Sequence, residues 1–151
     1  MNLEWRPMTQ SEAEEIASWK YPAPYDFYDM TADEEDYEQF IHPDKRSPHT
    51  YSVFEKGEMI GFLTVEPSEN HSVDLGFGMC PNRTGKGEGQ MFLEQCLSFA
   101  AKEYEVDHFT LAVATFNKRA IAVYERAGFI RKHTFIQATN GDNYEFVAME
   151  K

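Results

Sequence analysis

Apolar and polar positions change period several times along the chain, and each change marks an element. "NLEWRPM" alternates as a strand does. "TQSEAEEIASW" then spaces Ala13, Ile16 and Trp19 as a helix would, behind a cap candidate at Thr9 or Ser11. "YPAPYDFYDM" reads as a proline- and tyrosine-rich loop, and Thr31 is placed to cap a second, acidic helix through "ADEEDYEQFI", which "HPD" ends. "TYSVFEKGEMIGFLTVEP" predicts a hairpin turning at Lys56-Gly57, and "SVDLGFGM" a further strand. Leu93, Cys96, Leu97, Ala100 and Tyr104 recur at helical spacing, so "GQMFLEQCLSFAAKEY" is a helix of roughly four turns. "HFTLAVATF" is a strand, Asn117 caps the helix "KRAIAVYERA", Gly128 supplies its left-handed end, and "FIRKHTFIQ" and "NYEFVAME" pair around "NGD". The order β-α-α-β-β-β-α-β-α-β-β predicts a mixed α/β sandwich. Without an internal repeat or linker, residues 1–151 are expected to form a single domain.

Composition narrows the function. A chain of 151 residues with 42% hydrophobic content suffices for one domain with its own core. Its N-terminus has no basic segment followed by an apolar stretch, and no apolar run approaches bilayer length, so a soluble, cytoplasmic protein is expected, with no membrane partner. Cys80 and Cys96 lack metal-ligand spacing and read as small buried hydrophobes, which gives no support to a metal site or a disulfide. A net charge of −12 argues against a nucleic-acid partner. The charge is uneven: residues 1–82 hold five Lys and Arg against seventeen Asp and Glu, whereas residues 83–132 hold eight against six.

The stretch "NRTGKGEGQ" opens that net-positive segment and puts Gly85, Gly87 and Gly89 at alternate positions just ahead of a helix. Bare backbone between a strand and a helix N-terminus forms an anion site, and taken alone it serves an ordinary turn equally well. Spacing removes two candidates. A phosphate-binding P-loop needs a glycine where Cys80 stands and Ser or Thr where Gly87 stands. A dinucleotide fingerprint needs Gly or Ala at Gln90 and a preceding βαβ unit in place of a meander.

The segment Thr84-Gly85-Lys86-Gly87-Glu88-Gly89 resembles the coenzyme A pyrophosphate loop of the GNAT superfamily of N-acetyltransferases, [Q/R]-x-x-G-x-[G/A], with Thr84 at the first position in place of Gln or Arg. "NKRAIAVYERAGF", residues 117–129, is similar to the family segment N-x-x-A-x-x-x-Y-x-x-x-G-F. In a helix Asn117, Ala120, Ile121 and Tyr124 share one face. The resemblance implies a GNAT-like, mostly antiparallel sheet flanked by helices, with acetyl-CoA as cosubstrate and no metal. It also implies cofactor contacts from Met79, Thr84, Gly85, Lys86, Gly87, Gly89, Asn117, Ala120 and Tyr124.

By the same resemblance, the strand "VDLGFGMCP" splays from its neighbour to admit the pantetheine arm, and the Met79 N–H binds the thioester oxygen. Its Gly76 and Gly78 indicate a bulge or a close backbone approach. Tyr124 is the natural acid, since a phenol of pKa about 10 stays protonated at neutral pH and can protonate a thiolate whose thiol pKa is about 8.5. For the base, Asp74, Glu66 and His71 lie on or near the central strands and can act through water. The loop carrying Tyr21, Tyr25 and Tyr28 falls where family members build the acceptor site. The acidic N-terminal half suggests an entrance that draws in an ammonium group.

These readings predict an N-acetyltransferase acting by direct attack of a primary amine, carried by a small molecule or by a protein N-terminus or lysine, with a homodimer left open. The alternatives are a non-catalytic acyl-CoA binding or sensing domain, which needs the glycine loop but no acid, and a protein-interaction domain, which needs neither.

Overall fold

Thr9 closes a reciprocal capping box with Glu12. Its hydroxyl accepts the Glu12 N–H at 3.2 Å, while its own N–H donates to the Glu12 carboxylate at 3.0 Å. That cap starts α1 (Gln10–Ala17) directly after β1 (Leu3–Pro7). The computed structural model describes residues 2–151 and contains the elements in the expected order. After α1 come α2 (Glu34–Ile41), β2 (Thr50–Glu55), β3 (Glu58–Pro67), β4 (Ser72–Met79), α3 (Gly89–Tyr104), β5 (His108–Ala114), α4 (Lys118–Arg126), β6 (Ile130–Thr139) and β7 (Asp142–Glu150).

Both hairpins turn where the sequence places them. Lys56 and Gly57 have φ of 50° and 81°, and Asn140 and Gly141 have 53° and 78°, the paired positive angles of a two-residue turn matched to strand twist. The second helix starts differently. Residues 30–32 form a 3₁₀ turn, and α2 is capped by Asp33, whose carboxylate accepts the Asp36 N–H at 2.9 Å. Thr31 is therefore not the cap; its hydroxyl accepts from the Lys20 ammonium. Asp33, extended and directly before the first helical residue, satisfies a helix donor that Thr31, two residues earlier and inside the 3₁₀ turn, does not reach.

The strands form one sheet in the order β1-β2-β3-β4-β5-β7-β6, antiparallel except where β4 runs parallel to β5. Helices α3 and α4 cover one face, where Phe92, Leu93 and Cys96 bury against Leu63, Val65 and Val113. Each such side chain contributes roughly 1.5–3 kcal/mol on removal from water. Helices α1 and α2 cover part of the other face through Ala13, Ile16 and Phe40, against Phe62. Among the described residues the buried Trp5 indole N–H makes no hydrogen bond, and burial pushes the Cys96 thiol pKa up to about 12 against a smaller lowering by Trp5.

Along β4 the side chains alternate, with Val73, Leu75 and Met79 buried and Asp74 and Gly76 exposed on the opposite face. The β3–β4 register runs unbroken, so the strand glycines do not mark a bulge; the register shifts lie at Val53/Phe54 and Arg131/His133. They mark close approach. A Cβ on Gly78 would sit 2.7 Å from the Phe62 ring, and one on Gly61 would sit 2.5 Å from the Gly78 carbonyl oxygen.

Candidate functional site

Strands β4 and β5 pair only over residues 72–74 with 108–110, although each continues beyond. Past Asp74 and Thr110 the sheet opens. The Cys80 N–H donates to the Ile60 carbonyl at 2.7 Å, so alternate residues of β4 bond to β3, while the N–H and C=O groups of Leu75, Phe77 and Met79 face the gap. On the other lip Phe109 and Lys151 exchange both their hydrogen bonds, which by the same alternation turns the Ala112 backbone groups into the gap. Two lips of backbone donors and acceptors thus have no partner strand. An extended chain bearing amides can pair with both.

A cavity of about 310 Å³ fills this opening. Residues 75–79 and 111–113 form its sides, and Asn117 and Tyr124 from α4 close one end. Asn117 is buried; its side-chain oxygen accepts the Ala120 N–H at 3.1 Å and so caps α4. Two turns on, Tyr124 comes round to the same face, its ring edge-on to Phe77 at 5.7 Å between centroids. Among the described residues the Tyr124 hydroxyl makes no hydrogen bond. Burial raises its pKa well above the ordinary phenol range, and the nearby Tyr28 adds to the rise. Burial also raises the Tyr28 phenol, opposed by hydrogen bonds from the Asn117 side chain and the Ala114 backbone.

The loop over residues 21–28 straps across the opening. Tyr21 donates its hydroxyl proton to the Met79 carbonyl at 2.7 Å on one lip, and Tyr28 meets Ala114 and Asn117 on the other. Tyr21, Tyr25 and Tyr28 all line the cavity. The Arg119 guanidinium carbon lies 3.9 Å from the centre of the Tyr25 ring, and its Nη1 would be 3.5 Å from a Cβ placed on Gly85. Sequence reasoning did not single out Arg119. The available signal was a pair of cations, Lys118 and Arg119, in the first turn of a helix, where the macrodipole disfavours them and an anionic ligand would compensate.

At the glycine loop, Gly85 and Gly87 adopt φ of 72° and 78°, in the left-handed region that side chains resist, and Gly89 begins α3. No side chain caps that helix. Its first intrahelical bond runs from the Phe92 N–H to the Glu88 carbonyl, which leaves the N–H groups of Gly89, Gln90 and Met91 open. Lys86 is exposed on the loop, whereas the Thr84 hydroxyl is taken by the Pro81 carbonyl at 2.8 Å. Glu88 is drawn to Arg83 at 2.7 Å, and Arg83 holds its carboxyl below the usual range.

Two expectations change here. Glu66 and Asp74 face each other across β3 and β4 at the closed end of the splay, and Asp74 accepts the Thr110 hydroxyl at 2.7 Å. Neither lines the cavity, although both stand on the face of β3 and β4 that carries Gly76, and His71 sits in the turn before β4. Nor does the acidic helix line it. Asp33 and Asp36 border a separate cavity of about 180 Å³ with Phe27 and Phe146, and the Asp33 carboxylate is engaged by the Asn140 N–H and the Thr139 hydroxyl, both at 2.9 Å. Among the described residues lining the main cavity, Arg119 is the one charged side chain.

Comparison with known proteins agrees with this architecture. The family model described as an acetyltransferase (GNAT) domain matches residues 2–130. A GNAT-family acetyltransferase from Bacillus anthracis superposes with a TM-score of 0.75 at 15% identity, covering 100% of this chain and 95% of that one. A spermidine N-acetyltransferase chimera from Vibrio cholerae and hSSAT gives 0.71 at 19% identity, covering 99% and 95%. Ribosomal-protein-S5-alanine acetyltransferase from Vibrio fischeri gives 0.69 at 15% identity, covering 100% and 93%. At these identities the likeness is one of fold. No curated protein matches the chain in sequence.

Proposed function

Because the chain belongs to the GNAT acetyltransferase family, we propose that it moves an acetyl group from acetyl-CoA to a primary amine by direct attack. The observation that carries this reading is the splay of β4 from β5, with Tyr124 and the glycine loop at one cavity and its approach. The residues suit the cosubstrate: bare backbone at Gly85 and Gly87 and open N–H groups at the start of α3 fit a diphosphate. Lys86 and Arg119 add cations, while the gap-facing backbone of β4 and β5 suits an amide-bearing arm. Bound there, acetyl-CoA supplies an activated acyl group.

The protein's part is orientation, charge stabilisation and one proton. The Met79 N–H, turned into the gap, is the donor for the oxygen that gains charge during attack. Tyr21 holds this lip through the Met79 carbonyl. The Tyr124 hydroxyl, protonated and without a hydrogen bond among the described residues, holds the proton that the leaving sulfur needs. Asn117 fixes the start of α4 and thereby the Tyr124 ring. The unpaired Cys80 and Cys96 suit a cytoplasmic setting, and no helix among the described residues is long and apolar enough to cross a membrane.

Calorimetry with acetyl-CoA, followed by thiol release in the presence of an amine panel, tests the proposal. Binding with amine-dependent release supports it. Binding without transfer to any amine would favour the non-catalytic acyl-CoA sensor, and no binding would favour the interaction domain.

A further inference from the structure

On the α1 and α2 side of the opening the cavity becomes a chamber with uncharged walls. Ile16, Trp19, Met30 and Phe62 surround it, and the exposed faces of Gly76 and Ala112 lie beneath. Gly76 leaves real space, because a Cβ there would meet only the Thr64 Cβ at 3.9 Å. Arg119, the single charged lining group among the described residues, stands by Gly85 and is itself a cation. The acidic side chains around it stand outside the lining and are hydrogen-bonded: Asp29 accepts the Tyr21 N–H at 2.9 Å, Asp33 accepts from Asp36, Thr139 and Asn140, and Asp74, on the Gly76 face of β4, accepts the Thr110 hydroxyl at 2.7 Å.

An ammonium against these apolar walls would shed part of its hydration with no carboxylate in the lining to serve as counter-ion, which favours the neutral form. The substrate must therefore supply a neutral amine, and its own basicity decides how often it can. An α-amino group of pKa about 8 is about a quarter neutral at pH 7.5, whereas a lysine-type amine of pKa about 10.4 is neutral about one part in a thousand. A neutral amine attacks without a carboxylate base in the chamber, in keeping with the places of Glu66 and Asp74 outside its lining; the proton it sheds on becoming an amide passes to solvent, from which the Tyr124 phenolate takes one back. From the walls, the floor and the placement of charges we infer that the acceptor is a weakly basic primary amine, of the α-amino type, on an uncharged apolar or aromatic body. The inference rests on the acetyl-transfer reading above.

The test compares phenylalaninamide with 1,4-diaminobutane and Nα-acetyl-lysine amide as acceptors at pH 7.5, with acetyl-CoA binding measured in parallel by calorimetry. Phenylalaninamide is expected to exceed both in kcat/KM by about a hundredfold or more, with the gap narrowing as the pH rises toward 9.5. Gly76→Val should fill the floor and raise the phenylalaninamide KM at least tenfold, with acetyl-CoA affinity kept within threefold. Met30→Glu, which supplies the missing carboxylate, should improve diaminobutane relative to phenylalaninamide at least tenfold. Equal or faster turnover of diaminobutane or acetyl-lysine amide by the unmodified protein, or turnover of none of the three with acetyl-CoA bound, overturns the acceptor class and leaves cofactor binding standing. Absence of acetyl-CoA binding overturns the transfer reading and the acceptor class with it.

Discussion

The Arg83 guanidinium donates to the Glu88 carboxylate at 2.7 Å while also holding Glu55 at 2.7 Å, so the acid inside the glycine loop is neutralised by a residue just ahead of it. A carboxylate next to a diphosphate site would otherwise repel the ligand. Freed from its partner, as in Arg83→Met, Glu88 should weaken acetyl-CoA binding by roughly three- to tenfold. Arg83→Met with Glu88→Gln should restore most of the loss, and calorimetry on the four proteins closes the cycle. Because Arg83 lowers the Glu88 pKa, the pair is complete above the ordinary carboxylate range and is lost only as the pH falls through the lowered value. Wild-type affinity should therefore owe no pH dependence to this pair between about pH 5 and 8.

Gly87 has φ of 78° with open space around it, so a side chain there meets no protein atom but would project into the volume assigned to the diphosphate. Gly87→Glu is expected to cut acetyl-CoA affinity tenfold or more, on the order of 1.4 kcal/mol, with far-UV circular dichroism unchanged. Unaltered affinity in the folded variant would remove the diphosphate from this loop.

Tyr124 supplies the proton in the proposed mechanism. Tyr124→Phe should lower kcat by roughly 10²-fold while acetyl-CoA affinity stays near wild type. The raised pKa adds a second expectation. The acid form persists below the folded-state value, which lies above the ordinary phenol pKa of about 10, so the kcat profile should show no descending limb from this group up to about pH 10. Rate measurements at saturating substrates, once chemistry is shown to limit turnover, decide both points.

The strand glycines separate fold from site. A Cβ on Gly61 would meet the Gly78 carbonyl at 2.5 Å and the Phe92 ring at 2.8 Å, contacts that buried backbone cannot relieve. Gly61→Ala should cost about 1–3 kcal/mol in urea unfolding, whereas Gly76→Ala, with 3.9 Å to its nearest neighbour, should change stability by no more than about 0.5 kcal/mol. Similar midpoints for the two variants would contradict the packing described at β3 and β4.

What the sequence by itself determined is local. Period assigned the strands and helices, the cap at Thr9 or Ser11 and the Asn117 cap marked two helix starts, and Lys56-Gly57 and Asn140-Gly141 fixed two turns, because each depends on residues a few positions apart. The glycine loop and the shared face of Asn117 and Tyr124 were legible for the same reason. The sequence points to a cap at Thr31 and the structure has it at Asp33, because both residue types cap helices and only the path of the chain through the 3₁₀ turn separates them. Tertiary structure alone decided the rest. Parting of β4 from β5 after three residue pairs depends on strands far apart in sequence. Tyr21 reaches Met79 across 58 positions, and Asn140 reaches the Phe27 carbonyl across 113. Placement of charge was decided in the same way. The acidic half of the chain suggests an acidic entrance, yet Asp29 and Asp33 turn to backbone donors and the chamber is walled by apolar side chains, because the packing of α1 and α2 over the sheet sets which groups face the cavity.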